Sequence, residues 1–372
     1  MDSVLLRRYK KGDEIGIIDL RNQIFDSSRH TDLSKWRWEY VNTPQGTSKI
    51  FLYEDKKKIV GHYALIPILL KYKDKSVISG KSEDAMMHKH YRGYGNRFTK
   101  LVKKGNEISH DEGIDIIWGF PNQAALMPHV KGGYDYIGDT FSSIKIVNIR
   151  DFLEKLVPSY IKSRFISQIV ISLGSLLFSS LNVFFKSGKS KHAKDLSIKS
   201  ISKFDKRLNK LWEKVKNDYG ITVVRSYEYL NWRFVENPCA KSKIFIAEKG
   251  NEIAGYIVLG SYKSKKDQTE AGIISDFFFD KKEKTVLNAL LNSAIEYFEG
   301  KQVAYIAVSM VKDSYDNKSF LKIFKKKGFL FKSRKLTSPF IVKTNPEKAD
   351  TEYVNDIKNW YITHAFSEGV RF

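Results

Sequence analysis

The chain has one cysteine, Cys239, among 372 residues. A lone thiol excludes an internal disulfide framework and a cysteine-built zinc site, and it suits a reducing, cytoplasmic setting. The first eight residues lack an apolar core followed by a small-residue cleavage site, so no secretory leader is expected. No two histidines stand four apart as a helical ligand pair, so no metal is expected. Acidic residues are short: 42 Asp and Glu face 64 Lys and Arg, a net charge of +22. That balance suits an anionic partner, or a lysine-rich surface with no partner at all. The basic residues are dispersed, with no RNA-binding aromatic signature and no compact arginine cluster, which weakens the case for a nucleic-acid partner, and no DNA is expected.

What is present points to two globular units. Hydrophobic residues make up 42% and aromatics 13%, and the length suits two domains, each with its own core. Trp38 to Leu65 and Trp232 to Leu259 align without a gap at an offset of 194, with 11 of 28 positions identical. Asn122–Tyr136 and Asn317–Phe331 align at an offset of 195, and each stretch contains a Gly-aromatic pair, Gly133-Tyr134 and Gly328-Phe329. The expectation is one mixed α/β unit in two copies: residues 1–150, a connector over 151–196, and 197–372. In the first copy helical periodicity covers Asp13–Phe25, and strands are expected over Lys49–Tyr53, Ile59–Leu69, Ser82–Met87 and Ile114–Phe120.

Phe165–Phe185 is uncharged and long enough to span a bilayer. A span would put related domains on opposite sides of a membrane. A narrow polar stripe (Gln168, Ser172, Ser175, Ser179, Asn182) fits a buried interdomain helix. The flanking Lys162, Arg164, Lys186, Lys189 and Lys191 keep a peripheral membrane contact open.

One motif carries chemistry. The strand ending at Met87 runs into Tyr91-Arg92-Gly93-Tyr94-Gly95-Asn96-Arg97, and a helix from about Asn96 to Asp111 follows. Glycines allow a tight turn with bare N–H groups, and a helix start adds orphan donors and a positive dipole end. The combination suits a pyrophosphate, with Arg92 and Arg97 adding charge. The spacing is neither that of a dinucleotide fold nor that of a nucleotide P-loop. In context the stretch resembles the pyrophosphate loop of the GNAT acyltransferases, Arg/Gln-x-x-Gly-x-Gly/Ala between a strand and a long helix. Arg92 and Gly95 match, while Arg97 stands where Gly or Ala is usual. The resemblance covers residues 1–145 with the loop and 197–345 without it.

The resemblance implies acetyl-CoA, or another acyl-CoA, as donor. Ala85, Met86 and Met87 would then offer backbone groups to the pantetheine arm. Residues Arg92, Gly93, Tyr94, Gly95, Asn96 and Arg97 would hold the pyrophosphate, and Asn122 would sit near the thioester. The second copy has Val286 and Leu287 in the places of Tyr94 and Gly95, which implies one donor site, in the first copy. Acyl transfer to an amine also needs a base and an acid. Glu83 and Asp84 are candidates, expected on opposite strand faces. Asp84 is preferred, although Asp276 in the loop-less copy suggests a structural role for it. His129 stands where the family commonly has a tyrosine, or is a helical surface histidine. The aromatic-rich end, Asn359–Phe372, either lines an acceptor cleft or only packs. The expected activity is N-acetylation of a small-molecule amine, such as an amino sugar. Aminoacyl transfer from charged tRNA, and a non-catalytic module binding a membrane or partner through 165–185, remain as alternatives.

Overall fold

The computed structural model describes residues 4–25, 30–93, 95–157, 167–174, 195–239, 241–263, 269–311, 317–332 and 337–367. Tyr94 and most of the 165–185 stretch lie outside the described residues.

The first copy runs β1 (Leu5–Arg8), α1 (Glu14–Ile24), α2 (Leu33–Tyr40), β2 (Lys49–Asp55), β3 (Lys58–Tyr72), β4 (Lys75–Met87), α3 (Arg97–Asp111), β5 (Ile116–Gly119), α4 (Gln123–Lys131) and β6 (Asp135–Ile146). Two connector helices follow, α5 (Ile149–Leu156) and α6 (167–174). The second copy repeats the order with two short strands added, β8 and β13: β7 (Leu196–Ile201), α7 (Arg207–Val215), β8 (Ile221–Val223), α8 (Tyr227–Phe234), β9 (Lys243–Lys249), β10 (Glu252–Lys263), β11 (Glu270–Phe279), α9 (Lys284–Gly300), β12 (Tyr305–Val311), α10 (Asn317–Lys326), β13 (Phe331–Lys332) and β14 (Pro339–Thr344). A tail adds α11 (Thr351–Asn355), β15 (Trp360–Tyr361) and α12 (His364–Ser367).

Local chemistry explains the helix starts. Asp32 caps α2 by accepting from Lys35 N, and Ser226 caps α8 by accepting from Tyr229 N. In α3, Phe98, Leu101, Val102 and Ile108 recur on one face and pack on the sheet. Gly105 on that face lets the helix come close, since a Cβ there would lie 2.8 Å from the Tyr63 ring and 2.9 Å from the Phe51 ring.

The strand order is β1-β2-β3-β4-β5-β14-β6-β12-β11-β10-β9-β7. Read in terms of the repeat it is a palindrome, with a pseudo-two-fold axis between β14 and β6. The last strand of each copy crosses over. Thr140–Ile146 of β6 pairs with β12, while Ile341–Thr344 of β14 pairs with β5. Each half of the sheet is completed by a strand from the other copy.

At the axis Trp38 and Trp232 stack, with ring centroids 5.0 Å apart. Trp38 Nε1 donates to Trp232 O at 3.0 Å, and Trp232 Nε1 donates to Trp38 O at 3.3 Å. Among the described residues no helix is long and apolar enough to cross a membrane.

Candidate active site

Strand β4 splays from its neighbour. It pairs in parallel with β5 only from Gly80 to Ser82, and β5 ends at Gly119 while β4 continues to Met87. Residues 83–87 therefore present a backbone edge that β5 does not cover. Met86 and Met87 bury their side chains in the two cores, and Ala85 packs beside them. At the mouth of the opening Arg92 Nε donates to Met87 O at 2.9 Å, and the Arg97 guanidinium lies 5.7 Å from the Tyr91 ring centre. Tyr91 itself donates to Asp55 at 2.7 Å, which anchors the turn.

Gly93 (φ +78), Gly95 (φ +57) and Asn96 (φ +54) are all left-handed. A Cβ added at either glycine would meet nothing within 4 Å. The turn thus presents bare backbone to open space at the start of the 15-residue α3. Open strand edge, glycine turn and helix start form a groove suited to a thin chain with an anionic head. Asn122, exposed, spends its side-chain oxygen capping α4, accepting from Ala125 N at 2.9 Å.

The second copy closes the equivalent space. Phe277 packs against Phe320, Phe324 and Tyr361. The Phe277 carbonyl accepts from the Tyr361 hydroxyl at 2.7 Å, and the Phe279 carbonyl from the Tyr219 hydroxyl at 3.1 Å. Val286 and Leu287 are fully buried in α9.

The acids are not arranged as strand alternation predicts. The β3–β4 register shifts between His62 and Ala64, and Asp84 sits in that bulge with φ +44. Glu83 and Asp84 consequently both lie near Glu39, and both push its pKa up. The Asp84 side chain is 4% exposed. Its Oδ2 accepts from Arg21 Nε at 2.5 Å and from the Tyr40 hydroxyl at 2.8 Å, and its backbone carbonyl accepts from His62 Nδ1 at 2.8 Å. Asp276 repeats the arrangement with Arg225, Tyr256 and Thr363. Glu83 is ion-paired with Lys81. His129 is not on the surface: it is 3% exposed between the rings of Phe98 and Tyr134, Nδ1 donating to Ala125 O at 2.8 Å. Burial drives its pKa down to about 4, so it is neutral at physiological pH. Beside it the hydroxyls of Tyr63 and Tyr134 lie 2.5 Å apart, and Tyr63 donates to Asn106 at 2.5 Å.

A small cavity with room for about one water molecule lies on the other side of β4, at the junction of the copies. Lys81 of β4, Glu39 of α2, Tyr229, Trp232 and Arg233 of α8 and Phe366 of α12 line it. The tail mainly packs on the second copy, through Tyr361 and Thr363, and delivers only Phe366 to this pocket. Glu39 and Arg233 are absent from the sequence-based site. The repeat held a signal for them: they occupy the same position, next to the paired tryptophans, with opposite charge.

Comparison with known proteins agrees with this fold. Residues 6–136 match one family model described as an acetyltransferase (GNAT) domain, and residues 190–335 match a second model with the same description. No curated protein matches the chain. Among solved structures, a GCN5-related N-acetyltransferase from Anabaena variabilis is similar at a TM-score of 0.60 and 10% identity, over 91% of this chain and 72% of that one. The N-myristoyltransferase of Saccharomyces cerevisiae, solved with myristoyl-CoA, gives 0.58 and 13%, over 97% and 84%. A tandem GNAT protein from the clavulanic acid biosynthesis pathway gives 0.55 and 9%, over 92% and 98%. At such identities the structural likeness is one of fold. With two matching domain models over most of its length, the chain belongs to the GNAT acetyltransferase family and carries two such domains in tandem.

Proposed function

We propose that the protein is an acyl-CoA-dependent N-acyltransferase, with acetyl-CoA as donor, acting on the amine of a small molecule. The observation that carries the reading is the groove of the first copy: an open β4 edge leading to a glycine turn at the start of α3. In this reading the backbone of Ala85, Met86 and Met87 faces the pantetheine arm. Arg92, Gly93, Tyr94, Gly95, Asn96 and Arg97 hold the pyrophosphate. A single donor site is favoured by the aromatic side chains and hydroxyls that fill the matching space in the second copy. Asp84, tied to Arg21 and Tyr40, shapes the bulge, and the hydroxyl pair of Tyr63 and Tyr134 supplies protons near the donor groove. The division into residues 1–150, 151–196 and 197–372, and a cytoplasmic location, belong to the same reading. The limits of the two matched regions support the first, and the free, exposed Cys239 supports the second.

The test is calorimetric titration with acetyl-CoA of the wild type and of Gly95→Val and Arg92→Ala. Micromolar binding, weakened at least tenfold in variants whose circular dichroism is unchanged, is expected. A wild type that takes up no acetyl-CoA overturns the reading.

A further inference from the structure

We propose that the outer face of α6 is a docking surface for an anionic lipid bilayer, on which the protein rests without crossing it. The inference stands apart from the acyltransferase reading: it concerns where the protein works, not its chemistry. The polar stripe in the sequence predicts a buried interdomain helix, yet most of the described part of that stretch is exposed. In α6, Ser167 and Ile171 are buried, and a Cβ at the half-buried Gly174 would lie 2.8 Å from Leu153 of α5. These three residues, spaced by four and then three, form the seated side of the helix. Ile169, Val170 and Leu173 are 44%, 38% and 59% exposed. Their spacing puts them together on one outward side. Gln168 and Ser172 of the polar stripe are exposed beside them. Large apolar side chains gathered on one exposed helix face mark an interaction surface.

Charge selects the occupant. No Asp, Glu, Lys or Arg lies between positions 165 and 185, so this face offers no ion pair to a protein partner. Lys162 and Arg164 stand five and three residues before Ser167. Whatever path the chain takes, their backbones stay within about 18 and 11 Å of the helix start. A second copy of the chain would bring another net charge of +22 against the first and be repelled. An anionic bilayer answers both features: its acyl boundary takes Ile169, Val170 and Leu173, and its headgroups attract the lysine and the arginine. The described residues of α6 rise about 12 Å against a hydrocarbon core of about 30 Å, which suits a seat in the interface.

The test is co-sedimentation of the full chain with vesicles. Phosphatidylcholine alone is compared with phosphatidylcholine containing about 30% phosphatidylglycerol. Binding to the mixed vesicles is expected to be at least tenfold tighter than to the neutral ones, and to weaken as salt is raised. Ile169→Asp/Leu173→Asp should weaken it at least tenfold, with acetyl-CoA affinity and circular dichroism unchanged. Lys162→Gln/Arg164→Gln should remove most of the preference for the anionic vesicles. Should the aspartate pair not fold, Ile169→Ser/Leu173→Ser decides. No binding to the mixed vesicles overturns the proposal. So does binding undiminished by the α6 changes, which would assign it to the dispersed lysines. A wild-type dimer that the α6 changes dissociate would give the face to a second copy and also overturn it. Failure of the wild type to bind acetyl-CoA would instead overturn the transferase reading and leave the vesicle result standing.

Discussion

At Asp84 the backbone takes φ +44, and that one torsion turns the side chain onto the face that Glu83 already occupies. Alternation along β4 had put the two acids on opposite faces, and nothing in the residue types announces a bulge there. The consequence is a buried ion pair with Arg21 instead of a solvent-facing base. Removing one partner of such a pair leaves a buried charge, so Asp84→Asn should cost about 3–5 kcal/mol in urea unfolding. A loss below 1 kcal/mol with a hundredfold fall in kcat would return Asp84 to the role of base. His129 makes a pH prediction. Its folded pKa of about 4 lies below the usual 6.5. The stability gained by keeping it neutral is whole above pH 6.5 and is lost as pH falls from there toward 4. At pH 5 the loss is about 2 kcal/mol. His364, also driven to about 4 by burial, acts in the same direction. His129→Gln should therefore roughly halve the pH 7-to-5 stability slope that the two histidines share. An unchanged slope would mean that the imidazole is protonated in the folded chain.

Among elements, α3 and its entry turn were the most legible in the sequence. Apolar spacing marked the helix, and the glycines marked the turn, because left-handed backbone with bare amides leaves few residue choices. What the pattern did not reveal is why the loop is sensitive. A Cβ at Gly95 strikes nothing in the free protein, so Gly95→Val acts through backbone strain and through the space a ligand needs. Gly105 behaves in the opposite way. Its Cβ would press on Tyr63 and Phe51, so Gly105→Val should cost about 1–3 kcal/mol by overpacking. That loss should appear in thermal unfolding with or without acetyl-CoA. A Gly105→Val protein as stable as wild type would show that α3 sits further from the sheet. The β3–β4 hairpin was only half visible, since its turn, Lys73-Asp74, carries no glycine.

For the whole molecule, the internal repeat made two copies legible, but not how they join. Paired residues lie 159–171 apart in sequence for β6 with β12 and 222–228 apart for β14 with β5, and no local pattern encodes such a pairing. Because each half-sheet borrows its neighbour's last strand, the halves should not melt separately. Urea unfolding followed by tryptophan fluorescence and by far-UV circular dichroism should give one coincident transition. Two resolved transitions would contradict the exchange. Trp38→Phe removes a hydrogen bond at the axis and leaves Trp232 O without its donor, which should cost about 1–3 kcal/mol across that single transition.

The opposed charges at positions 39 and 233 have a further meaning. In a dimer of identical subunits, residues related by the axis are the same residue, so a glutamate there would meet a glutamate. Joining the two copies in one chain releases that constraint. Each copy can then mutate alone, and a symmetric cleft can become one with a distinct head and foot. The retained tryptophan pair keeps the two copies in register, and the altered residues beside it make the two sides of the axis chemically different.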